Sequence, residues 1–349
     1  MATVLVTGGL GFVGLHTVYF LLVKGYRVLI LDSLFNSDLK ALNNLKLLLE
    51  KRNINYKDNL SFNLGDIRDN LLVSNLFKNS REKNRKIEAV LHFAGLKSVE
   101  DSIRNPLEYW DVNVNGTINL LKIMHENQCF KFVFSSSATI YSPGSISPID
   151  ENSLIDPINP YGQSKNVVEK FLDDLSKSNS DWRIFCLRYF NPIGAHESGL
   201  IGENPTRNAD NLFPYICKVA KKEKDILNIF GNNWPTPDGT GIRDYIHVMD
   251  IAEAHEVALS KICNIEKNIS KVNLGTGKGT SVLELINIFE KVNSLKIEFK
   301  IAQRRKGDIA CCFADNKLAK DLLNWTPSRS IEDMCRDGWR WYNDSKIIN

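Results

Sequence analysis

A doubly wound parallel α/β sheet followed by a smaller C-terminal α/β unit is the fold class this chain predicts, on three observations. Short apolar runs alternate with longer amphipathic ones between Thr3 and Phe190, the rhythm of strands joined by crossover helices. The first run ends in a turn where glycine recurs in phase, and the second ends in an acid, Asp32. Beyond Asn191-Pro192 the chain turns to short elements rich in Gly, Pro and Asn, as a loop-built lid does. The division is therefore expected at 190/191, with residues 1–190 forming the sheet domain and 191–349 the smaller one. A chain of 349 residues, 43% hydrophobic and 24% charged, can bury a sizeable core.

Thr3–Thr7 reads as a buried strand, Gly8–Gly14 as a tight turn and Phe12–Lys24 as a helix stopped by Gly25. Tyr26–Leu31 makes the second strand, with Asp32 at its carboxyl end. This βαβ unit is Rossmann-type. Gly8, Gly11 and Gly14, with Gly9 as an alternative first member, permit positive φ and close approach of a pyrophosphate. The helix N-terminus, with Phe12 and Val13, then faces the phosphates. Asp32 lies 18 residues past Gly14, where an acid holds the adenosine ribose hydroxyls, and no arginine follows it immediately. NAD is favoured over NADP.

Residues 38–58 read as an exposed helix and loop, and the Lys- and Asn-rich stretch around 40–85 as superficial. Ser61–Leu64 is a strand ending near Asp66-Ile67, where Asp66 is either a strand-end cap or an adenine contact. Ala89–Ala94 runs into Gly95-Leu96-Lys97, and Lys131–Phe134 runs into Ser135-Ser136-Ser137. Leu107–Glu126 and Tyr161–Lys177 are long helices, and Trp182–Phe190 is the next strand. A helix at His247–Ile262 and a strand at Val272–Leu274 suggest that residues 247–274 pack back on the first domain. Gly275-x-Gly277-x-Gly279 lacks the Walker spacing and reads as a strand-to-helix turn. Ligands of such sheets bind beyond the carboxyl ends of the strands, where Gly8, Asp32, Gly95, Ser137 and Asn191 fall.

A net charge of +3, from 44 basic and 41 acidic residues, gives no field that argues for nucleic acid or an anionic membrane. No run approaches the ~18 apolar residues of a membrane span, and no leader precedes the first strand, so the expected address is the cytoplasm. The seven cysteines include no C-x-x-C pair and no His/Cys cluster at metal spacing. They read as buried reduced thiols, with no metal site.

The chemistry centres on Tyr161-Gly-Gln-Ser-Lys165, whose Tyr and Lys share one helix face at i and i+4. A second Tyr-x-x-x-Lys, Tyr342 to Lys346, reads as the fraying end of the last helix. A phenol with a reference pKa of about 10 becomes a base near neutrality only if the phenolate is favoured by roughly 4 kcal/mol. Burial acts the wrong way. The Lys165 ammonium and the cationic nicotinamide of oxidised NAD are the expected sources of positive charge, and Lys165 can also hold the nicotinamide ribose. Ser137 is either a strand-end cap or a group that bonds the reacting oxygen, and the neighbouring motifs favour the second. Hydride transfer at a carbon bearing a hydroxyl follows.

The stretches Val4-Leu-Val-Thr-Gly-Gly9, His92-Phe-Ala-Gly-Leu-Lys97, Ser135-Ser-Ser-Ala-Thr139, Pro160-Tyr-Gly-Gln-Ser-Lys165 and Arg188-Tyr-Phe-Asn-Pro192 resemble the extended short-chain dehydrogenase/reductase family. Gly239-Thr-Gly-Ile-Arg-Asp-Tyr-Ile-His-Val-Met-Asp250 and Arg304-Arg-Lys-Gly-Asp308 are similar, more narrowly, to the UDP-glucose 4-epimerases. That resemblance implies interconversion of UDP-glucose and UDP-galactose: C4 is oxidised, the 4-keto sugar turns over about its bond to the diphosphate, and C4 is reduced on the other face. It implies NAD as cofactor, flanked by Phe93, Ala94, Gly95, Lys97 and Phe190, with Asn36 and Ser37 at the adenosine ribose and Asp66-Ile67 at the adenine. Arg243 and Arg305 are implied to grip the diphosphate, and Asn191, Asn211, Leu212, Asn228, Phe230, Tyr245 and Asp308 to line the UDP-sugar site with Ser137 and Tyr161. A homodimer through the helices near 109–125 and 161–177 is implied as well.

Cys312 stands at the family's gate beside the sugar, so turnover of UDP-GlcNAc and UDP-GalNAc is a further expectation. Tyr141-Ser142-Pro143 departs from the Tyr-Gly usual after the catalytic serine strand and puts the local loop shape in question. The rival readings are a nucleotide-sugar 4,6-dehydratase or reductase and a non-catalytic NAD-binding protein. Dehydratases carry an Asp-Glu pair after the serine, where this chain has Ala138-Thr139.

Overall fold

Side-chain alternation along the strands decides how the first half of the chain folds. Val4 and Val6 are buried in one apolar cluster and Leu5 in another, and Ile30 and Leu31 divide the same way. Strands apolar on both faces must be covered on both, which crossover helices do. The computed structural model describes residues 1–204, 211–305 and 307–344.

In chain order the first half comprises β1 (Thr3–Thr7), α1 (Phe12–Val23), β2 (Arg27–Asp32), α2 (Leu39–Lys51), β3 (Leu60–Leu64), α3 (Asn70–Glu82), β4 (Ile87–His92), α4 (Val99–Arg104) and α5 (Pro106–Tyr109). A π-helical turn over Trp110–Asn115 leads into α6 (Gly116–Glu126). There follow β5 (Lys131–Ser137), a 3₁₀ turn over Ala138–Ile140, α7 (Pro160–Ser178) and β6 (Arg183–Tyr189). The second half comprises β7 (Asn191–Ile193), α8 (Leu212–Ala220), β8 (Leu227–Phe230), β9 (Ile242–Arg243), β10 (Tyr245–His247), α9 (Val248–Lys261), β11 (Ile269–Leu274), β12 (Thr280–Ser281), α10 (Val282–Asn293), β13 (Phe299–Ala302), β14 (Cys311–Cys312), α11 (Lys317–Leu323) and α12 (Ile331–Asp344).

Seven strands form one sheet in the order β11-β6-β5-β4-β1-β2-β3, every neighbouring pair parallel. The chain leaves the sheet after β6, and β11 returns to its edge beside β6, with α9 packed on α1. A separate core of Phe213, Ile216, Ile229, Leu285, Phe289 and Met334 holds the smaller unit.

Two expectations need correction. The Lys- and Asn-rich stretch is not superficial: α2 buries Leu42, Leu45, Leu48 and Leu49 against the sheet, and α3 buries Val73, Leu76 and Phe77. These apolar residues recur at three- and four-residue intervals among polar ones, so one helical face is apolar although the mean composition is polar. Asp38 and Asp69 start the two helices, each carboxylate accepting a first-turn amide, from Lys40 and Leu72. The helix expected over Leu107–Glu126 is instead interrupted by the π turn, which turns Asn113 toward the site.

Candidate active site

The first strand ends on a cradle that only glycine fits. Gly8 has φ +67°, and a Cβ there would lie 2.6 Å from the Ala94 amide nitrogen. At Gly14 a Cβ would lie 2.3 Å from the Gly8 carbonyl oxygen, so α1 packs directly on the turn. No side chain caps the start of α1 at Gly11, which leaves its first-turn amides to an anion. Asp32, buried at the end of β2, accepts from the amides of Leu10 and Leu34, both at 2.9 Å, and from Ser37 Oγ at 2.8 Å. Beside it the Asn36 Oδ1 atom is buried without a hydrogen-bond partner. A glycine cradle, an uncapped helix start, an anchored carboxylate and an orphaned acceptor fit the phosphates and adenosine ribose of a dinucleotide. Val13 lies in the first turn of α1.

Farther along this edge, Asp66 is held by Arg68, whose Nε lies 3.0 Å and whose terminal nitrogen lies 2.7 Å from the carboxylate. Arg68 holds that carboxyl below its usual range. Asp66 and Arg68 thus close the loop that follows β3, and the Ile67 side chain is buried beneath Gly116. Phe93 is half-buried with its ring 4.7 Å from that of His255. Lys97 reaches across to the smaller unit, its Nζ 2.8 Å from Glu203 Oε1. Asn113, which the sequence did not single out, is buried and clamps the loop after Gly95. Its Oδ1 accepts from the Leu96 amide at 2.7 Å, and its Nδ2 donates to the Leu96 carbonyl and to Ser164 Oγ, both at 3.0 Å.

The Tyr161 helix starts where it does because Asn159 caps it, accepting from the Gly162 amide at 2.8 Å, with Pro160 in the first turn. A Cβ at Gly162 would lie 2.5 Å from the Thr139 carbonyl oxygen, so the helix start packs tightly on the turn that follows Ser137. That packing brings Tyr161 to Ser137. Burial pushes the Tyr161 phenol up from its ordinary value, and a hydrogen bond with Ser137 acts the other way. Ser137 Oγ also accepts from Thr139 Oγ1 at 3.0 Å and from the Thr139 amide at 3.2 Å. It is therefore both a strand-end cap and the phenol's neighbour.

Lys165 points into the same cleft, its Nζ donating to the Ser135 carbonyl at 2.7 Å and lying 4.7 Å above the Phe134 ring. Burial lowers the Lys165 ammonium to about 8, while Glu169 acts to raise it. The copy at Tyr342 lies elsewhere, its phenol donating to Glu223 at 2.5 Å, and Lys346 lies outside the described residues.

On the facing side, Arg305 lies over the Phe230 ring at 4.7 Å and pairs with Asp308, Nε to Oδ2 3.0 Å. Lys306 between them lies outside the described residues. Arg243 donates to the carbonyls of Ile242 and Ile309, at 2.8 and 2.9 Å. Asp244 organises this edge: its buried carboxylate accepts from the amides of Thr276, Gly277 and Ala314, which fixes the Gly275 turn and β14. Cys312 of β14 stands opposite Arg243 and packs against Ile140, Tyr141, Ile149 and Phe190, where burial pushes its thiol up to about 11. Phe190 is itself buried in that cluster. Asn191 is exposed on β7, Asn211 and Leu212 start α8, and Asn228 sits partly exposed on β8. Tyr245 is a correction: it is only 5% exposed and packs among Ile193, Phe213 and Met334, so its ring belongs to the smaller core and not to the site lining.

The arrangement joins a dinucleotide cradle, a buried phenol–lysine pair and an arginine–aromatic face. Residues 5–338 match the family described as GDP-mannose 4,6 dehydratase. The UDP-glucose 4-epimerase of Bacillus subtilis is 46% identical over 98% of this chain and 97% of its own length. A UDP-glucose 4-epimerase structure from Stenotrophomonas maltophila, with bound NAD and formylated UDP-arabinopyranose, superposes with a TM-score of 0.93 at 42% identity and covers 100% of both chains. That of Bifidobacterium longum, in complex with NAD+ and UDP, gives 0.90 at 41% identity, over 100% of this chain and 99% of that one.

Proposed function

The chain belongs to the UDP-glucose 4-epimerase family, and from that premise we propose that Ser137, Tyr161 and Lys165 carry the chemistry by which it interconverts UDP-glucose and UDP-galactose with NAD. The observation that carries the assignment is the convergence of a buried phenol, a strand-end hydroxyl and a buried ammonium beside a cradle only glycine fits. Bound NAD supplies the acceptor and donor of hydride at C4, and its oxidised ring adds positive charge.

Tyr161 takes the proton of the sugar 4-hydroxyl and later returns it. In the protein alone this phenol is fully protonated near neutrality, since burial raises it. Lys165, one helical turn on, is the chain's own source of opposing charge, and it must stay an ammonium to serve. Ser137 orients the hydroxyl whose proton moves, itself aligned by Thr139. A sugar clamped by its own hydroxyls could not turn over between the two half-reactions, so binding energy belongs on the nucleotide. Arg305, Arg243, Phe230 and Asp308 are assigned to it. The Arg305–Asp308 pair is partly exposed, 54% and 23%, and a pair of that kind contributes only about 0–1 kcal/mol. Arg305 can therefore re-pair with a diphosphate at little cost. The dehydratase reading lacks its carboxylates, because the turn after Ser137 carries Ala138 and the Thr139 hydroxyl.

Two finer assignments accompany this one. The small, half-buried Cys312 leaves room beside the sugar, which supports UDP-GlcNAc and UDP-GalNAc as substrates. A cytoplasmic homodimer is assigned on family grounds. Ile103 and Leu107, 63% and 84% exposed beside the helices in question, support the dimer. Among the described residues no helix is long and apolar enough to cross a membrane.

A coupled assay of the purified protein with UDP-galactose, reading UDP-glucose with and without added NAD, tests the assignment. Product in either condition supports it. No product in both conditions contradicts it.

A further inference from the structure

Three successive serines end β5, and each serves a different partner. The Ser135 carbonyl receives Lys165, Ser137 faces Tyr161, and Ser136 turns to the face of Phe132 and Phe134, where its hydroxyl donates to Glu169 Oε1 at 2.6 Å. Glu169 lies one helical turn past Lys165 on α7 and is 1% exposed. Its carboxylate is clamped by Arg188, Nε to Oε1 2.9 Å and the terminal nitrogen to Oε2 2.5 Å. Arg188 is equally buried and also donates to Tyr141 Oη at 2.9 Å and to the Glu151 carbonyl at 3.2 Å. The Tyr141 hydroxyl in turn donates to Asn273 at 2.7 Å.

A fully buried charge pair is a costly way to fill space, since apolar side chains of the same volume are often as stable or more so. This pair sits directly under the catalytic strand end. We infer that Glu169, oriented by Arg188 and Ser136, is a positioning residue that supplies the counter-charge keeping Lys165 an ammonium in the buried cleft. The inference rests on the function proposed above for Lys165.

The charged and titratable groups around Lys165 leave that task to Glu169. Tyr161 on the same helix and Tyr189 on β6 are buried phenols pushed up by burial, hence neutral. His92 on β4 bonds Thr7 and Thr117, and burial holds it at about 3, so it too is neutral. On β11 Lys271 lies 3.8 Å from Glu169 but pairs more closely, at 2.6 Å, with Asp173. On the outer helices Glu100 pairs with Arg104, Asp101 accepts from Asn105 and Tyr109, and Asp111 pairs with Arg68, while Glu108 on the short helix α5 is partly exposed. Glu169 is also the group that raises Lys165 against its burial.

Two variants test this. Glu169→Gln keeps the shape and the acceptor for Ser136 but removes the charge. Glu169→Gln with Arg188→Met removes both charges and leaves no stranded guanidinium, which protects folding if the single change does not allow it. The pH midpoint of Lys165 acetylation is read by mass spectrometry after trace labelling with acetic anhydride, alongside the alkaline limb of kcat. Losing one unit charge at a helical turn, in an effective dielectric of about 20, is expected to lower the Lys165 midpoint by about one to two pH units in Glu169→Gln. The fall should be smaller, in the same direction, in the double variant, with the alkaline limb moving alike. A merely structural role predicts loss of stability with the labelling midpoint where it is in the wild type. That result, in either folded variant, would overturn the inference. Because labelling needs no substrate, failure of the wild type to turn over UDP-sugars would count against the proposed function and leave this result readable.

Discussion

Replacing Lys165 with methionine separates what the lysine does for the chemistry from what it does to the fold. Lys165 is 5% exposed, and burial lowers its ammonium to about 8 in the folded protein against 10.5 ordinarily. Below pH 8 both folded and unfolded chains carry the charge, and the folded state bears the cost of burying it. The fall from 10.5 to about 8 corresponds to about 3 kcal/mol at about 1.36 per pH unit. Methionine fills similar volume without charge but leaves the Ser135 carbonyl oxygen without its donor, a loss of about 1–3 kcal/mol. The NAD-free variant is therefore expected to be at least as stable as the wild type at pH 7, by about 0–2 kcal/mol, the difference of these terms.

The pH dependence is sharper still. Between pH 8 and 10.5 the unfolded wild-type chain binds the Lys165 proton and the folded chain does not, so wild-type stability rises with pH in that window. The variant lacks this rise. Its advantage should shrink steadily from pH 8 and turn by about pH 10.5 into a deficit of about 1–3 kcal/mol, the cost of the unpaired carbonyl. Urea unfolding of both proteins at several pH values from 7 to 10.5 measures it, with turnover of UDP-galactose as the companion assay. A pH-independent stability difference, or a variant less stable than the wild type throughout, would refute the reasoning.

Tyr161→Phe should keep the fold and lower kcat about 10²- to 10⁴-fold, the usual range for a lost proton-transfer group, as read by the coupled assay with circular dichroism as control. Gly14→Ala places a methyl 2.3 Å from the Gly8 carbonyl oxygen. An overpacking cost of about 1–3 kcal/mol falling on the turn weakens NAD roughly 10- to 100-fold, measured by calorimetry on protein stripped of cofactor. Cys312→Tyr should abolish turnover of UDP-GlcNAc and leave that of UDP-galactose within a few-fold, checked by running both substrates side by side.

Where the sequence was legible, one residue type answered one physical demand. Glycine at 8 and 14 is dictated by backbone approach, and Asp32 by its place at a strand end, so both could be located without coordinates. Tyr161 and Lys165 were legible because a helix puts i and i+4 on one face. The leucines of α2 were hidden by the Lys and Asn around them, although their spacing was helical and a count by phase would have found them. The π turn that aims Asn113 has no composition signal, since its cause is packing against α7 and the Gly95 loop. Tyr245 was misplaced because the chain leaves one small sheet after Arg243 and enters another at Tyr245, so nearness in sequence did not keep the two side chains at one site. Glu169 had a signal, one turn beyond Lys165, but its meaning depends on Arg188 across a strand pairing that only the fold reveals.

The central claim is that hydride leaves C4 of the sugar and returns to C4 within one closed site, with Tyr161 moving only the hydroxyl proton. UDP-galactose carrying deuterium at C4, incubated with the purified protein in ordinary water, tests it most directly when the product UDP-glucose is analysed by mass spectrometry. The account predicts that deuterium stays at C4 of the product. Deuterium exchanged for solvent hydrogen would contradict it, because C4 would then be inverted by proton loss and not by hydride transfer.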